Sequence, residues 1–524
     1  MRSLNSLCLI LLLLLLPGCG PRVVKAPFSG VDSSGNGKKD GASTASSDDV
    51  LTSAVHQLRP ENFGINAATD KPVSLLNSWR YKRAEKEPAA EQSVPVTTPS
   101  GWVQPEEEER LNQAKFDAID AQHVRDAMFH RVLAGYLSDR GQSELQKVVA
   151  IVEFVCRNVA LWKDDDIELQ MQPYLVMQLG LGSAEDRAWV CAEIFRQMRI
   201  DTIVLRASSD TRSTSDKWLL GVILDGKVYL FDLQLGLPIG RGEDTARDSV
   251  ATLAEILEHP DWLQQMAIKD PYRLTADELR DATVYVMTGM EFWCRRMHDL
   301  EQVLPPSDLC ILYDPLSDEA GRTGLLQRVA KAGNWSVDSL KLWPYPRQQA
   351  EEMKKIAEEK QLEWNRLTVP FSVPIPVDFH EDGKFTIGTP ERKFQRYRSD
   401  HLLGKFAEAT ARYLRIRHLE VERNPPDVEV VNKMASENAF YWTALCKYEL
   451  GEYATAVELL TDYIKKYDRK GKWFFPARTL LAQSHAELGQ YADAIATFDR
   501  TSSDDPYRVA NALRVKRWTE AKSK

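Results

Sequence analysis

The sequence predicts an α+β body followed by an all-α repeat region, and three observations support this prediction. Amphipathic helical segments begin near residue 106 and lead into a short β-branched run. Residues 217–232 read "KWLLGVILDGKVYLFD", two apolar runs about an Asp-Gly pair, which is a strong hairpin signal. Residues 395–524 then contain three copies of one glycine-, aromatic- and alanine-containing phrase, which is typical of stacked helix pairs.

The N-terminus has the features of a secretory signal. Arg2 precedes the apolar run "LCLILLLLLLPG", residues 7–18, which is shorter than the roughly 20 residues that span a bilayer. The "LPGC" of residues 16–19 resembles a bacterial lipobox. That resemblance implies a signal peptide over residues 1–18 and a lipid on Cys19. It further implies an anchor in the outer or plasma membrane, facing the periplasm or the exterior, with Gly20 permitting outer-membrane sorting. An ordinary signal peptide with an incidental cysteine is the alternative.

Composition limits the classes of partner and site. Residues 19–100 are rich in Ser, Gly, Asp, Lys, Thr and Pro, which predicts a flexible tether. The chain as a whole is 43% hydrophobic and 27% charged, as expected of globular domains, and its net charge of -9 argues against a nucleic-acid partner. The cysteines of the body are widely spaced, without a CxxC pair or zinc-ligand spacing. We therefore predict buried free thiols, with one disulfide left open, and no metal or cofactor. These cysteines are Cys156, Cys191, Cys294, Cys310 and Cys446.

The body reads as helices, then a sheet, then more helices. Apolar residues at helical spacing occupy 106–160, and Ser183 is placed to cap a helix that carries Glu185 and Asp186 in its first turn. "TIVLRA" after this helix predicts a strand. The remaining predictions are helices across 249–300, a strand at 308–314, a connecting α+β segment over 315–394 and, within it, a charged surface helix at 347–367.

The C-terminal phrase recurs at "GKFAEATARY" from Gly404, "GEYATAVELL" from Gly451 and "GQYADAIATF" from Gly489. Each glycine is expected to end one helix, and the following aromatic and alanine residues are expected to pack the next helix against it. The last two copies are about 38 residues apart, close to the period of helix-pair solenoids. The region resembles the tetratricopeptide repeat, which implies that residues 395–524 bind a protein or peptide partner.

The sequence "GLGSAEDRAWVCAEIFRQMRIDTIVL", residues 180–205, together with the hairpin that follows, resembles the core motif of the transglutaminase-like superfamily. The resemblance covers about residues 140–240 and implies a transglutaminase-like domain over 101–314. In that family a cysteine at a helix N-terminus, a histidine and an aspartate carry out acyl transfer. The cysteine's place falls on Ala184, the histidine's on Lys217, or on Trp218 if the strand register slips, and the aspartate's on Asp232.

Neither the thiol nor the imidazole is present at these places. Three substitutes come into question: Ser183 as the nucleophile, Cys191 as a displaced thiol and Lys217 as a desolvated base. Ser183 is needed as a cap, Cys191 lies on the apolar face of its helix, and a lysine at a strand start is normally solvated. We expect catalysis to have been lost, which leaves Ala184, Lys217 and Asp232 as vestigial positions and no catalytic residues.

His123 and His130 are seven residues apart and share a helix face with Asp120 and Asp126 nearby. A metal site would need a third ligand that the sequence does not identify, so two surface histidines are expected.

Three hypotheses follow. The first is a non-enzymatic envelope lipoprotein that uses a degenerate transglutaminase-like domain and the repeats for protein binding or scaffolding. The second is a transglutaminase-like or cysteine-protease-like enzyme with a displaced nucleophile. The third is an assembly protein in which the repeats alone matter. An open cleft beside Ala184 would favour the enzyme, and a packed apolar site would favour the first hypothesis.

Overall fold

The computed structural model describes residues 46–65, 67–86, 96–163, 166–207, 217–242, 249–319, 321–353, 358–373, 377–379, 385–387, 394–419, 425–499 and 502–523. The predicted signal peptide, Cys19 and the first part of the predicted tether lie outside these ranges. Within them, no helix combines the length and the apolar character needed to cross a membrane.

Part of the predicted tether is folded, so that prediction is wrong for these residues. Helix α1 spans Ser47–Leu58 and helix α2 spans Asp70–Lys86. A capping box between Ser46 and Asp49 begins α1, and Trp79 of α2 is only 2% exposed. The low overall hydropathy of residues 19–100 hid an apolar stripe at helical spacing in α1. That stripe consists of Val50, Leu51, Ala54, Val55 and Leu58.

A helical layer follows, close to where the sequence places it. Its elements are α3 (Pro105–Asn112), α4 (Ala118–Ser138), α5 (Glu144–Asn158), the short strand β1 (Ala160–Leu161), α6 (Pro173–Leu179), the short strand β2 (Leu181–Gly182) and α7 (Ala184–Arg196). Ser183 caps α7 as predicted, because its hydroxyl accepts the Asp186 N–H while the Asp186 carboxylate accepts the Ser183 N–H. The first turn of α7 carries Glu185 and Asp186, also as predicted.

The mixed α/β character is confirmed by a six-stranded sheet in the order β6-β5-β4-β3-β7-β8. The strands are β3 (Asp201–Arg206), β4 (Trp218–Leu224), β5 (Lys227–Asp232), β6 (Leu237–Pro238), β7 (Thr283–Val286) and β8 (Lys341–Leu342). The predicted hairpin is β4-β5, and its turn residues Asp225 and Gly226 have φ of 49° and 72°. Positive φ at both turn positions is the reason this turn takes Asp-Gly.

Between the hairpin and residue 314, one sequence prediction is only partly right and another is wrong. The helices expected across 249–300 are present as short pieces, α8 (Leu253–Glu258), α9 (Ala276–Arg280) and α10 (Arg295–Glu301). Strand β7 lies between α9 and α10, because its β-branched residues pair with β3. The strand expected at 308–314 pairs with no strand in the part of the chain that the structure describes. The Leu312 and Tyr313 N–H groups instead donate to the Glu301 carboxylate, at 2.7 and 2.8 Å.

The connecting segment contains α11 (Leu325–Gly333), α12 (Tyr345–Met353), α13 (Glu358–Thr368) and a small hairpin of β9 (Val377–Phe379) and β10 (Phe385–Ile387). Its first part belongs to the body, since β8 extends the main sheet and Leu325 and Val329 of α11 lie in the core of that sheet's face. The predicted surface helix at 347–367 is divided between α12 and α13.

The C-terminal region is helical, and its three helix pairs fall where the repeated phrase predicts. The pairs are α14 (Phe394–Leu402) with α15 (Phe406–His418), α16 (Pro426–Glu449) with α17 (Tyr453–Tyr467), and α18 (Phe474–Glu487) with α19 (Tyr491–Ala496), and α20 (Arg508–Ser523) closes the array. Gly404, Gly451 and Gly489 have φ of 85°, 75° and 72°. At each of the three, the next residue's N–H bonds to a carbonyl five residues back, the Schellman pattern that favours glycine.

The repeats and the body share one hydrophobic core, so the sequence boundary at residue 394 does not separate two cores. The core cluster runs from Phe129 of α4 through Cys191 of α7 to Leu481 of α18. At this repeat–body interface, the buried Arg398 of α14 donates to the carbonyl oxygens of Asn158 and Met177 at 3.1 and 3.0 Å.

The alanine of the third repeated phrase provides a test of the repeat packing. Ala494 is fully buried, whereas Ala492 on the same helix is exposed. We expect Ala494→Trp to overpack the contact and to lower the free energy of unfolding by about 1–3 kcal/mol, with little effect from Ala492→Trp. Urea denaturation of the two variants measures the difference. Equal stabilities would contradict the repeat assignment.

Candidate functional site

The N-terminus of α7, where the sequence comparison places a nucleophile, is filled by protein. Ala184 is only 8% exposed and lies in the large core cluster. The Tyr345 hydroxyl lies 3.0 Å from Ser183 Oγ and donates to Asp186 Oδ1 at 2.9 Å. Trp343, itself buried, stacks on Tyr345 with ring centroids 5.1 Å apart. Ala184 therefore lies in a packed site and not in an open cleft.

The sheet separates Ala184 from the other two predicted positions. Trp218, Leu220 and Phe231 share the core cluster of Ala184, so they mark the face of the sheet that α7 covers. Lys217 and Asp232 alternate with these residues and lie on the opposite face. Ala184, Lys217 and Asp232, the three positions taken from the resemblance, are therefore not assembled into one site.

Asp232 and Lys217 have structural partners on that opposite face. Asp232 is fully buried, accepts the Gln234 and Leu235 N–H groups at 3.1 and 3.0 Å, and accepts the Tyr272 hydroxyl at 2.7 Å. Lys217 is ion-paired with Glu278 of α9. Trp218, the alternative histidine position, does face the α7 side, but an indole cannot serve as a base.

The body cysteines are free thiols, and four of the five are buried as predicted. Burial raises the pKa of the Cys191 thiol well above its ordinary value. Cys191 has no exposed surface, which opposes the thiolate that a nucleophile requires. Cys156 is the partly exposed member of the set, a difference that the sequence did not indicate.

The two histidines of α4 are buried, contrary to the expectation that they lie on the surface. Their helix is covered on several sides, and His123 Nε2 lies 3.1 Å from the Leu312 carbonyl oxygen. The nearby carboxylates are taken by arginines: Asp120 pairs with Arg296, and Asp126 with Arg125. In the part of the chain that the structure describes, no group of three potential ligands could hold a metal ion.

A large apolar groove lies at the repeat–body interface. Its volume is about 970 Å³, and we call it the interface groove. One wall comes from the residues around β1 and from α13, and the other from the start of α16 and the turn before α18. Three large apolar side chains remain strongly exposed on it: Ile167 (41%), Leu362 (43%) and Val430 (45%).

Polar contacts fix the floor and one end of the interface groove. The Leu161 N–H donates to the Tyr507 hydroxyl at 2.8 Å, which ties β1 to the C-terminal region. Glu437 accepts both the Tyr463 hydroxyl and the Lys472 N–H, at 2.7 and 2.6 Å. Burial lowers the pKa of the Lys472 ammonium to about 8. These contacts hold two walls in place while leaving an apolar surface between them.

Sequence reasoning assigned partner binding to the repeats but missed this surface. The groove combines residues about 270 positions apart, such as Leu161 and Val430, and no local pattern reports such a pairing. A weak local signal existed in Val430 and Val431, two adjacent apolar residues that lie outside the repeated phrases.

The sequence profile of a family described as anaphase-promoting complex, cyclosome, subunit 3 matches residues 429–501. The matched region begins within α16 and extends past the end of α19, so it covers the second and third repeated phrases. This similarity supports tetratricopeptide-like repeats and a general role in protein binding. No curated protein matches the chain, and no solved structure matches it.

The packed cap of α7 generates a pH prediction. Burial raises the pKa of Asp186 to about 7 from an ordinary value of 3.8, against hydrogen bonds from Ser183 and Tyr345 that lower it. Between the ordinary pKa of 3.8 and the folded pKa of about 7, the folded protein keeps the Asp186 carboxyl protonated, whereas the unfolded chain releases that proton. The free energy of unfolding therefore falls as the pH rises through this range. We expect Asp186→Asn to gain stability relative to wild type between about pH 4 and pH 7.

Urea unfolding at several pH values in that range measures this change, with Asp277→Asn at an exposed carboxylate as the control. A constant difference in unfolding free energy between wild type and Asp186→Asn would refute the assignment.

Proposed function

We propose that the chain is a non-enzymatic lipoprotein of the cell envelope that binds a partner protein in the interface groove. In this proposal, a degenerate transglutaminase-like domain and α13 of the connecting segment form one wall, and the C-terminal repeats form the other. The main support for the proposal is that the second wall of the groove is built by the repeats. Its residues Val430, Met434 and Phe475 all lie in the region that matches a helical-repeat family. Helical repeats commonly present such surfaces to extended segments of other proteins.

The chemistry of the interface groove indicates the kind of segment it takes. Its exposed lining is dominated by aliphatic and aromatic side chains, and large exposed apolar patches mark binding sites in folded proteins. Cations and anions occur together at its edge, such as Lys470 and Asp166, so no single charge is selected. The expected partner is an extended peptide segment with bulky apolar side chains.

The degenerate transglutaminase-like assignment rests on the order of elements and on the motif residues. A helix, a strand and an Asp-Gly hairpin follow one another, and α7 packs on β3, which pairs antiparallel with β4 and β7. Ala184 and Lys217 stand where the family has its cysteine and histidine. The competing enzyme hypothesis needs a nucleophile within reach of a base, and the burial of Cys191 and the packing about Ala184 favour the non-enzymatic proposal.

A charge placed on the groove wall tests the proposed binding. Val430 lines the groove, whereas Val428, on the same helix and equally exposed at 44%, does not. For a peptide selected against the full chain from a displayed random library, we expect Val430→Asp to weaken binding by about tenfold or more, because a carboxylate must then be desolvated on an apolar contact. Val428→Asp is expected to bind like wild type.

Fluorescence anisotropy with the selected peptide gives both dissociation constants, and circular dichroism verifies that each variant is folded. If no apolar peptide is selected, or if the two variants bind with equal affinity, the groove is not the binding site.

The lipid anchor has a separate test. We expect mass spectrometry of the mature protein to find a diacylglyceryl group on an N-terminal Cys19, and we expect Cys19→Ser to release the protein from membranes. Both expectations rest on "LPGC" after an apolar run. A mature protein that begins elsewhere and lacks lipid would contradict the anchor, with no bearing on the groove.

A further inference from the structure

A second cavity lies at the repeat–body interface, and arginine side chains dominate its charge. Its volume is about 230 Å³, and it lies among α5, α7, the turn after β5, α16, α18 and α20. Arg157, Arg187, Arg514 and Arg517 line it, whereas the lining acids are Glu153 and Glu487. We call this cavity the arginine pocket.

Two of these arginines are held by the protein. Arg157 pairs with Glu449 at 2.8 Å and with Glu153 at 3.6 Å, so its charge is neutralised. Arg187 is 1% exposed and donates to the carbonyl oxygens of Val159 and Leu233 at 2.7 and 3.0 Å. Carbonyl dipoles satisfy its N–H groups but leave its full positive charge in place.

No described carboxylate serves as a counter-ion to Arg514. Among the described residues its guanidinium donates to Asn511 Oδ1 at 3.0 Å, and no carboxylate pairs with it. Burial lowers the pKa of Arg514 to about 10, and repulsion from Arg517 and Arg187 acts in the same direction. The group stays charged at neutral pH. Arg514 is partly buried. A partly buried cation without an anion is costly, so an anion entering the pocket would be attracted.

The walls beside these charges are aromatic. Tyr441, Tyr448, Tyr507 and Trp518 line the same cavity. A volume of about 230 Å³ exceeds several-fold the ~30 Å³ of a water molecule, so the pocket has room for an organic group beside the charged one. Guanidinium groups bind carboxylates and phosphates in a bidentate manner, and aromatic walls suit an apolar or aromatic body.

We propose that the arginine pocket binds a small organic oxyanion, a carboxylate or phosphate carried on an aromatic or apolar body, with Arg514 as its main counter-ion. Ligand and protein would meet between the last helix and the body, so occupancy would add a bond across the repeat–body interface. This site is distinct from the interface groove and does not depend on what the groove binds.

Phenyl phosphate is the first probe, and phenol is its neutral analogue. Benzoate and inorganic phosphate are compared with it to show whether the pocket binds carboxylates or phosphates more tightly. We expect isothermal titration calorimetry of the full chain to show binding of phenyl phosphate and none of phenol. Arg514→Gln should weaken binding roughly ten- to a hundredfold, because a hydrogen-bonded charge is lost. Arg514→Lys keeps the positive charge but lacks the planar guanidinium, so its affinity should lie between those of the wild type and Arg514→Gln. Arg508→Gln, at an exposed arginine on the same helix, is the matched control.

Cys156 gives a readout that needs no variant, because its side chain lies on the pocket wall and is partly exposed. Saturating phenyl phosphate should slow alkylation of Cys156 in the wild-type protein, and phenol should not.

Absence of both binding and Cys156 protection at millimolar phenyl phosphate would overturn the proposal. Equal affinity of Arg514→Gln and wild type for phenyl phosphate would also overturn it. The same would follow if Arg508→Gln lost as much affinity as Arg514→Gln, because that result would indicate general charge attraction. If Arg514→Gln does not fold, the wild-type Cys156 protection decides the question.

Discussion

The buried guanidinium of Arg398 holds the repeats against the body, and the rest of the architecture depends on this contact. It donates to the carbonyl oxygens of Asn158 and Met177, near the C-terminal ends of α5 and α6, and lies 4.5 Å over the Trp442 ring of α16. Those carbonyls have no partner within their own helices, and the helix dipole favours a cation there. One side chain of the first repeat helix thus completes two helices of the body. The repeats are therefore a fixed part of the fold and not an appended array.

This fixed arrangement creates both candidate binding surfaces. The interface groove needs β1 and α13 on one side and α16 on the other, and the arginine pocket needs α7 facing α20. Neither part of the chain could form these sites alone. Glu449 strengthens the same interface: burial alone would raise its pKa, but Arg157 and Arg140 hold the pKa of this carboxyl below its usual value. Two ion pairs and one shared core hold this interface in place. Because the surfaces are formed before a ligand arrives, little ordering is required on binding.

The sequence predicted the features that depend on neighbouring residues, such as turns and helix caps. It failed for features that depend on contacts between residues far apart in the chain. Gly489 and Asp225 were interpreted correctly, because positive φ is a property of the turn itself. The helix expected through β7 was wrong, because pairing with β3 outweighs the amphipathic period. Averaged composition likewise concealed Trp79 in a folded helix. For the sites, the sequence indicated Ala184 and the repeats, but the burial of His130 and the meeting of Arg187 with Arg514 depend on how elements pack, which no spacing encodes.

The cap of α7 leaves no vacant site at the N-terminus of this helix, and its hydrogen bonds give the physical reason. A helix N-terminus activates a cysteine through amide groups that have no other partner. Here the Asp186 N–H donates to Ser183 Oγ, the Ser183 N–H donates to Asp186, and the Tyr345 hydroxyl closes the same cluster. The groups that would stabilise a thiolate or an oxyanion are thus used to join α7 to the segment that follows β8. If the proposed function is correct, the helix end that is catalytic in the transglutaminase-like family serves here to attach α7 to Tyr345. The cationic and apolar surfaces available to ligands lie instead where the repeats meet the body.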